Sequence, residues 1–368
     1  MKILVATGIY PPSIGGPATH AKLVETELPK YGIDVDVLSF DSVRYLPKII
    51  RHIVYIWKLL KSSKKCELIY ALDPVSVGLP ALFVSKVLRK RMILRIGGDY
   101  AWEQATSRFN ILDDLDDFTE KKYNSISIRF MKYIQFFVAK NCTKIIAPSF
   151  YLKKIILKWG ILEGKIDVIY NFAPDIFIVE DKNSLRKKLN LTGKVILSSG
   201  RLIKLKGFEK LIEAFSIMPS DYKLFIIGSG PLKVKIGGQI ESLKLHDRIK
   251  IIDALDREKL FEYIKAADVF ILNTAAEGFS NILLETMAIG TPVIATAKGG
   301  NIELITQNFD GLLIEHDNIE EIQQSIEFIF DNPEIRQKYI DNAKNSVSKF
   351  TKEDSIKKII SIFNQTLL

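Results

Sequence analysis

Short apolar runs rich in β-branched residues alternate with helix-like segments along the whole chain, and this pattern constrains the fold more than any other feature. Strand-helix alternation is typical of parallel sheets with helices on both faces. The predicted strands span residues 3–6, 35–39, 68–71, 92–95, 144–147 and 167–169 in the first half, and 195–197, 223–227, 249–252, 269–272, 292–295 and 312–314 in the second. We therefore predict an α/β protein with two doubly wound, Rossmann-like sheets.

The length of the chain predicts two domains, because 368 residues are long for a single hydrophobic core. A polar segment at residues 171–183 is the predicted linker. It would separate a first domain at residues 1–170 from a second at residues 184–350. Residues 351–368 follow with the apolar spacing of a helix.

Composition argues against a chain that crosses a membrane. No run reaches the roughly 18 apolar residues that a spanning helix needs, and the first residues look like a strand rather than a signal peptide. Cys66 and Cys142 have neither metal-ligand spacing nor a partner pattern, so we expect buried, reduced thiols. These features favour a cytoplasmic location.

The net charge of +9 comes from the first half of the chain. Residues 1–170 hold 26 Lys and Arg against 16 Asp and Glu, whereas residues 171–368 hold 26 against 27. Such asymmetry predicts an anionic partner for the first half. Nucleic acid is disfavoured because the sequence has no Cys/His finger and no RNA-binding aromatic signature. An anionic membrane surface is the expected partner.

Residues 42–66 strengthen the expectation of a membrane surface. The segment contains no acid, and Tyr45 and Trp57 stand among its aliphatic residues. Its cations are Arg44, Lys48, Arg51, Lys58, Lys61, Lys64 and Lys65. A basic amphipathic helix with aromatic residues is typical of helices that lie in a membrane interface. The alternative is an ordinary domain helix whose lysines extend their charged ends into water. We favour the interface, which would place the protein at the inner face of the cell membrane.

Two carboxylates eight residues apart, Glu277 and Glu285, stand out in the second half. A buried strand is predicted just before Glu277, and a helix over residues 282–289. Glu277 would then lie at the carboxyl end of a strand, where open α/β sheets bind ligands, and Glu285 about two turns into the helix. The N–H groups of residues 279–281, at the helix start, suit an anion.

Two cations follow the predicted strand at residues 195–197. Arg201 offers a planar guanidinium that can hold two phosphate oxygens, and Lys206 offers a mobile point charge. A pair of cations beside a helix start suits a diphosphate. The alternative is that both are ordinary surface cations.

The order and spacing of these residues resemble those of the family 4 retaining glycosyltransferases of GT-B fold. The family pattern is Gly-Arg-Leu…Lys-Gly, then Gly-x-Gly-Pro after a strand, then Glu-Gly-Phe/Leu-x7-Glu. In this chain it reads Gly200-Arg201-Leu202…Lys206-Gly207, Gly228-Ser229-Gly230-Pro231 and Glu277-Gly278-Phe279-Ser280-Asn281…Glu285. The loop Tyr10-Pro11-Pro12-Ser13-Ile14-Gly15-Gly16 is also similar to the first loop of the family. The resemblance implies two Rossmann-like domains facing across a cleft, with the acceptor on the first and the donor nucleotide on the second. It also implies that the last helix, at residues 351–368, crosses back to the first domain.

The resemblance also implies a role for each matched residue. Glu277 would contact hydroxyls of the donor sugar and support positive charge at the anomeric carbon, and Glu285 would accept hydrogen bonds from the ribose hydroxyls. Arg201 and Lys206 would stabilise the departing diphosphate. Further donor contacts would come from Gly15, Gly16, Gly200, Gly228, Gly230, Ala254, Gly278, Phe279, Ser280 and Asn281. The alternatives are a solvated loop carboxylate for Glu277 and a polar residue of the helix surface for Glu285.

The sequence departs from the family in one loop of the first domain. Many relatives have a His after the fourth strand, facing the donor sugar, whereas this chain reads Gly97-Gly98-Asp99-Tyr100-Ala101-Trp102. Asp99 is the candidate to bind the sugar or the acceptor in place of that His, with Trp102 as a stacking wall. The alternative is that Asp99 caps the helix that follows.

The sequence therefore predicts a retaining glycosyltransferase that moves a hexosyl unit from a nucleotide-diphosphate sugar to a hydroxyl of a lipid-linked or glycan acceptor, in the assembly of cell-surface polysaccharide or glycolipid. No cofactor besides the donor substrate and no metal is expected, because Asp34-Val35-Asp36 and Asp114-Leu115-Asp116 lack a third supporting signal. Two alternatives stay open. One is a GT-B nucleotide-sugar 2-epimerase, which would need more acid/base residues. The other is a non-catalytic sugar-nucleotide-binding subunit at the membrane, which the intact charged set argues against.

Overall fold

The computed structural model describes residues 1–13, 15–111, 113–173 and 176–367, with the side chains of all of these except residues 48 and 49. The chain divides into two compact units. Unit 1 comprises Met1–Asn171 together with Lys352–Leu368, and unit 2 comprises Phe172–Thr351. Residues 174 and 175 of the predicted linker lie outside the described residues.

Strands form where the apolar runs predict them, with bounds within two residues at either end. Unit 1 contains β1 (Lys2–Thr7), β2 (Asp34–Ser39), β3 (Leu68–Ala71), β4 (Arg91–Arg95), β5 (Lys144–Ala147) and β6 (Ile166–Val168). Unit 2 contains β7 (Lys194–Ser199), β8 (Tyr222–Ile227), β9 (Ile249–Ile252), β10 (Val269–Leu272), β11 (Val293–Thr296) and β12 (Leu312–Ile314). The agreement has a simple cause: central strands of a parallel sheet are covered on both faces, so they appear as continuous apolar runs.

Helices fill the intervals between the strands. In the first half they are α1 (Gly16–Glu27), α2 (Lys48–Ser63), α3 (Gly78–Val87), α4 (Tyr100–Phe109), α5 (Leu115–Glu120), α6 (Ile126–Asn141) and α7 (Phe150–Lys158). In the second half they are α8 (Lys182–Lys188), α9 (Phe208–Ser216), α10 (Lys233–Ser242), α11 (Arg257–Ala266), α12 (Asn281–Ile289), α13 (Asn301–Leu304), α14 (Ile319–Asp331), α15 (Pro333–Ser348) and α16 (Lys352–Leu367).

The six strands of unit 1 form one parallel sheet in the order β2-β1-β3-β4-β5-β6. Its core joins the first and last parts of the chain, because apolar residues of β1 and β3 pack with Ile356, Ile359 and Phe363 of α16. The rings of Tyr70 and Phe363 meet edge to face with their centroids 5.2 Å apart. The last helix therefore completes the core of the first unit.

The six strands of unit 2 form a second parallel sheet in the order β12-β11-β10-β7-β8-β9. The chain runs outward from β7 to β9, returns to pair β10 with β7, and then runs outward on the other side. The sheet therefore reverses its strand order between β7 and β10, and ligands of open α/β sheets bind beside such a reversal at the carboxyl ends of the strands.

Among the described residues, no helix combines the length and the apolar character needed to cross a membrane.

Candidate functional site

Two loops of unit 2 lie side by side at this reversal of strand order. β7 and β10 are hydrogen-bonded neighbours, with Ile196 opposite Val269 and Leu197 opposite Phe270. The loop at residues 200–207 leaves the carboxyl end of β7, and the loop that starts at Asn273 leaves the carboxyl end of β10. Pairing of the two strands therefore brings the two predicted groups of charged residues to one edge of the sheet.

Buried polar side chains tie the two loops together. The Asn273 amide nitrogen donates to the Gly207 carbonyl at 2.9 Å, and the Thr274 hydroxyl donates to the Leu205 carbonyl at 3.1 Å. The backbone N–H of Ala275 donates to the same Leu205 carbonyl at 2.8 Å. Asn273 and Thr274 are both buried, so these bonds fix the turn that carries Lys206 against the loop that leads to Glu277.

Lys206 and Glu277 form an ion pair at the centre of this arrangement. Both side chains are 19% exposed, so the pair is sheltered but still open to a ligand. Gly207, with φ of 56°, links the turn at Lys204–Lys206 to α9, and a side chain there would overlap Asn273. Glycine is needed at this position because other residues disfavour both the left-handed backbone and the close approach.

Arg201 and the start of α12 belong to the same two loops as this ion pair. Arg201 lies two residues beyond the end of β7 and is exposed. Ser280 is the N-cap residue of α12, whose first turn carries N–H groups without partners inside the helix. A cationic side chain and a helix N-terminus both favour a bound anion.

Glu285 lies inside α12 and is bound by a residue that sequence reasoning missed. Its side chain is 8% exposed, and Arg257, the first residue of α11, forms an ion pair with it. Burial raises the pKa of the Glu285 carboxyl, while the Arg257 guanidinium acts in the opposite direction. The Arg257 guanidinium also lies 5.5 Å from the centre of the Phe261 ring. Arg257 therefore holds the carboxylate predicted to bind ribose.

Only weak signals in the sequence point to Arg257. Asp256 caps α11 by accepting a hydrogen bond from the Lys259 N–H at 2.8 Å, which makes Arg257 the first helical residue. An Asp before a helix is recognisable as a cap. The partner of Arg257 is 28 residues away in sequence, and only the packing of α11 against α12 brings the two together.

Backbone contacts close the space between neighbouring loops. A side chain at Gly228 would overlap the Gly200 carbonyl, and one at Gly300 would overlap the Gly278 carbonyl. The Gly300 N–H donates to the Glu277 carbonyl at 2.7 Å. Glycine is therefore needed at Gly228 and Gly300, which lie against the carbonyls of Gly200 and Gly278, two of the predicted donor-binding residues.

The loop after β9 joins the same edge through Ser229. The Ala254 N–H donates to the Ser229 hydroxyl at 3.3 Å, and Asp253 accepts from Lys233 at 2.5 Å. Ala254, predicted to contact the donor, therefore lies beside the Gly228-Ser229-Gly230 loop. Phe279, also predicted to contact the donor, is buried. Its ring is 5% exposed and packs edge to face on the Phe350 ring, with the ring centres 5.3 Å apart.

The remaining predicted residues belong to unit 1. Gly15 is the N-cap residue and Gly16 the first residue of α1, so the predicted loop ends at a helix start. Ile14 of this loop lies outside the described residues. The loop is held by Asp41, which accepts from the Ser13 hydroxyl at 3.0 Å and from the Tyr10 N–H at 3.4 Å.

Asp99 makes the contacts of a structural residue. It is the N-cap of α4, where one oxygen accepts from the Trp102 N–H at 2.9 Å and the other accepts from the Gln135 amide at 3.0 Å. The side chain is 2% exposed. The capping alternative therefore describes its contacts, and a role in binding sugar stays a prediction. Trp102 was expected to form a stacking wall, but its ring is buried and its indole nitrogen donates to the Asp113 carbonyl at 2.8 Å.

The two Asp-x-Asp sequences are held by ordinary ion pairs. Asp36 pairs with Lys2 at 2.9 Å, and Asp116 pairs with Lys158 at 2.8 Å. Within the part of the chain that the structure describes, no three His, Cys, Asp or Glu side chains come together in a way that could hold a metal ion.

The comparisons with known proteins agree with this arrangement. Residues 180–346 match the family model of the group 1 glycosyl transferases. An uncharacterised glycosyltransferase of Methanocaldococcus jannaschii is 25% identical over 403 residues, covering 99% of this chain and 98% of the relative. The N-acetylgalactosamine-N,N'-diacetylbacillosaminyl-diphospho-undecaprenol 4-alpha-N-acetylgalactosaminyltransferase of Campylobacter jejuni is 31% identical over 202 residues, which are 55% of this chain and 54% of that protein.

A solved structure extends the likeness to the whole fold. HepE of Anabaena, in complex with UDP and glucose, matches with a TM-score of 0.80 over 99% of each chain, at 18% identity. An identity this low shows shared architecture rather than shared chemistry. The predicted two-domain GT-B fold is confirmed. The segment that matches the group 1 glycosyl transferases, residues 180–346, lies within unit 2.

Proposed function

We propose that the protein transfers a hexosyl unit from a nucleotide-diphosphate sugar to a hydroxyl group of a lipid-linked or glycan acceptor, with retention of the anomeric configuration. The product would serve the assembly of cell-surface polysaccharide or glycolipid. The observation that carries the proposal is the Lys206–Glu277 ion pair, which lies beside Arg201 and the start of α12 at the strand-order reversal of unit 2.

This cluster has the charges that a sugar donor requires. Lys206, Arg201 and the first turn of α12 can meet the negative charge of a diphosphate as it departs. Glu277 can support the positive charge that develops on the anomeric carbon. HepE, which shares the fold, was solved with UDP and glucose bound, and this supports a nucleotide sugar as the donor class.

The ion pair suggests how donor binding prepares the site. Without donor, Lys206 neutralises Glu277. A bound diphosphate would compete with Glu277 for the Lys206 ammonium group. Movement of the ammonium group to the diphosphate would leave the Glu277 carboxylate with its full negative charge beside the sugar. The competition would couple binding of the phosphates to electrostatic support of the reacting carbon.

The transfer itself follows a front-face course in this proposal. The bond between the anomeric carbon and the phosphate oxygen breaks while the acceptor oxygen approaches from the same face. The acceptor proton passes to the leaving phosphate oxygen, so no separate base is required. Glu285 would hold the ribose hydroxyls during these steps, with Arg257 keeping its carboxylate in place.

A lipid-linked acceptor is supported by one relative and by the surface of unit 1. The name of the Campylobacter jejuni protein describes transfer to a sugar carried on diphospho-undecaprenol. In unit 1, residues 42–66 include α2, where Ile53 and Trp57 are exposed and the Lys61 ammonium lies 5.6 Å from the Trp57 ring centre. We propose that this segment docks on the anionic inner face of the cell membrane, from the cytoplasmic side.

Transfer is proposed to need no divalent metal, because cationic side chains and helix N–H groups meet the diphosphate charge. Turnover should therefore be the same with EDTA as with added magnesium or manganese. Loss of turnover in EDTA and its recovery on addition of manganese would contradict this part of the proposal.

A panel of nucleotide sugars tests the proposed function. Each donor is incubated with the full chain, and release of the nucleotide diphosphate is measured without acceptor and with lipid-linked or free glycan acceptors. We expect slow hydrolysis of one donor and faster release with an acceptor, and an NMR spectrum of the product that keeps the donor's anomeric configuration. Rapid acceptor-independent release together with a 2-epimerised sugar would identify the epimerase instead.

A further inference from the structure

Three helices of unit 1 lie next to one another and share an unusual composition. α3 rests on β3 and β4 and packs against α2 on one side and α6 on the other. None of these three helices contains an Asp or a Glu. Exposed cations lie along them, at Lys61, Lys86, Arg129 and Lys140. By contrast, α1 and α16, which pack in the core around β1, carry Glu25, Glu27, Glu353 and Asp354.

The same three helices expose large apolar side chains. Two on each helix are 55–63% exposed, namely Ile53 and Trp57 on α2, Phe83 and Val87 on α3, and Phe130 and Tyr133 on α6; Ile126, the first residue of α6, is a further one at 81%. Each pair is spaced three or four residues apart and so lies on one side of its helix. Because α3 lies next to both α2 and α6, these pairs can form one apolar surface edged by cations, and such surfaces mark interaction sites.

We infer that α2, α3 and α6 together form a membrane-inserting face, in which α3 and α6 contribute as much as the basic segment at residues 42–66. This inference deepens the proposed membrane partner and rests on it. We call the six residues Ile53, Trp57, Phe83, Val87, Phe130 and Tyr133 the three-helix face. A bilayer with anionic lipids fits it better than a protein partner does, because the helices carry only positive charge and their apolar residues are spread over three helices rather than one groove.

The three-helix face would also add an apolar contribution to membrane binding that high salt does not weaken. Attraction between exposed cations and anionic headgroups is screened as ionic strength rises. Burial of aromatic and aliphatic side chains in the acyl region is not screened. Insertion of three helices would also hold unit 1 in one orientation, which a single helix lying on the surface would not do.

Vesicle flotation tests the inference with the full chain. The vesicles are phosphatidylcholine alone or a mixture with phosphatidylglycerol, at low and at high salt. The variant is F83S/F130S/Y133S, which leaves residues 42–66 intact. The matched control is I217S/V234S in unit 2, where the two side chains are 70% and 87% exposed. Thermal unfolding checks that all the proteins are folded.

We expect wild type and I217S/V234S to float with the mixed vesicles at both salt concentrations. The variant F83S/F130S/Y133S should lose at least about ten-fold in partitioning at high salt. Trp57 fluorescence should shift to the blue on vesicle binding, and W57F should abolish the shift. Unchanged flotation of F83S/F130S/Y133S, with loss only on charge reversal of residues 42–66, would overturn the three-helix face and leave the docking segment standing.

Two other results would also overturn the inference. Failure of wild type to float with any vesicle would remove both the face and the proposed membrane partner, while the donor panel would still report on transfer. The second result would come from sedimentation velocity without lipid. If wild type were a dimer and F83S/F130S/Y133S a monomer, the three-helix face would be a contact between two copies of this chain.

Discussion

Units 1 and 2 are built on the same plan, yet their charged side chains are arranged in opposite ways. In unit 2 the charges at the carboxyl edge of the sheet are paired with one another, as Lys206 is with Glu277 and Arg257 with Glu285. In unit 1 the corresponding edge is held by caps such as Asp99, and the excess cations lie on outer helices. We propose that this one fold supports a binding site at its sheet edge in unit 2 and an interaction surface on its helices in unit 1.

The difference shows that the sheet edge by itself does not make a site. Both sheets reverse their strand order, at β1 and β3 in unit 1 and at β7 and β10 in unit 2. At the second edge the loops after β7 and β10 bring Lys206 and Glu277 together, and Glu277 lies three residues before Ser280, the N-cap residue of α12. The side chains that follow the strands decide which edge can perform chemistry, as expected for functions that differ on one fold.

The largest expected effect is on Glu277. Glu277→Gln keeps the size of the side chain but removes its charge, so transfer should fall by about 100-fold to 1,000-fold while nucleotide affinity changes little. Steady-state turnover and calorimetric titration of the nucleotide diphosphate measure the two quantities. The matched control is Glu213→Gln, because Glu213 forms an exposed pair with Lys210 at 2.7 Å on α9. Equal losses in both variants would contradict a special role for Glu277.

The next largest effect is expected at Lys206. Lys206→Ala should raise the barrier to transfer by about 2–4 kcal/mol. The loss should appear in turnover more than in donor affinity, because the charge it stabilises grows as the diphosphate departs. Lys210→Ala, one helical turn further along the chain, provides the comparison. Kinetics of Lys206→Ala that match those of wild type would remove Lys206 from the site.

A smaller effect is expected at Glu285 and Arg257. Glu285→Ala should weaken binding of the nucleotide diphosphate by about 1–3 kcal/mol, because it loses charged hydrogen bonds. Arg257→Leu removes the cation that lowers the pKa of Glu285, so the pKa rises further. Its nucleotide affinity should fall as the pH is lowered, since protonated Glu285 accepts hydrogen bonds less well, and should recover as the pH is raised.

Titrations of wild type, Arg257→Leu and Arg257→Lys across pH check this expectation. The lysine variant keeps a positive charge and should behave more like wild type. A pH-independent loss in Arg257→Leu would show that Arg257 acts by contacting the nucleotide directly rather than through Glu285.

The smallest effect is expected at the edge of unit 1. Asn caps helices about as well as Asp, so Asp99→Asn should leave the rate of transfer near that of wild type. The amide nitrogen of this variant cannot accept from Gln135, so the free energy of unfolding should fall by about 1 kcal/mol. Asp99→Ala should lower the free energy of unfolding by about 0.5–2 kcal/mol. A large loss of transfer in a stably folded Asp99→Asn protein would give unit 1 a part in the site and break the contrast between the units.

Much of the fold could be predicted from the sequence because buried parallel strands have a strong local pattern. Runs such as those of β3 and β10 are apolar throughout, and the helix at Asn281–Ile289 ends at Gly290, whose φ of 92° suits glycine. The order and spacing of Arg201, Lys206 and Glu277 placed these residues in loops after strands. Local signals of this kind do not depend on distant parts of the chain.

Features that depend on packing between distant segments could not be predicted in this way. The contact of Arg257 with Glu285 needs α11 and α12 to lie together. Trp102 was taken for an exposed wall because aromatic residues near a glycine-rich loop suggest a ligand, yet its ring is buried. The contribution of α3 and α6 to the proposed three-helix face could not be predicted, because each helix alone exposes only a few apolar residues.

Hydrogen–deuterium exchange tests the central claim, that the edge of unit 2 binds the donor. Exchange of the full chain is compared without ligand and with whichever of UDP, GDP, ADP or CDP raises the melting temperature most. We expect slower exchange at residues 200–207, 228–230 and 277–285, with Lys206→Ala weakening the protection and Lys210→Ala preserving it. Protection confined to unit 1, or no protection by any of these nucleotides, would contradict it.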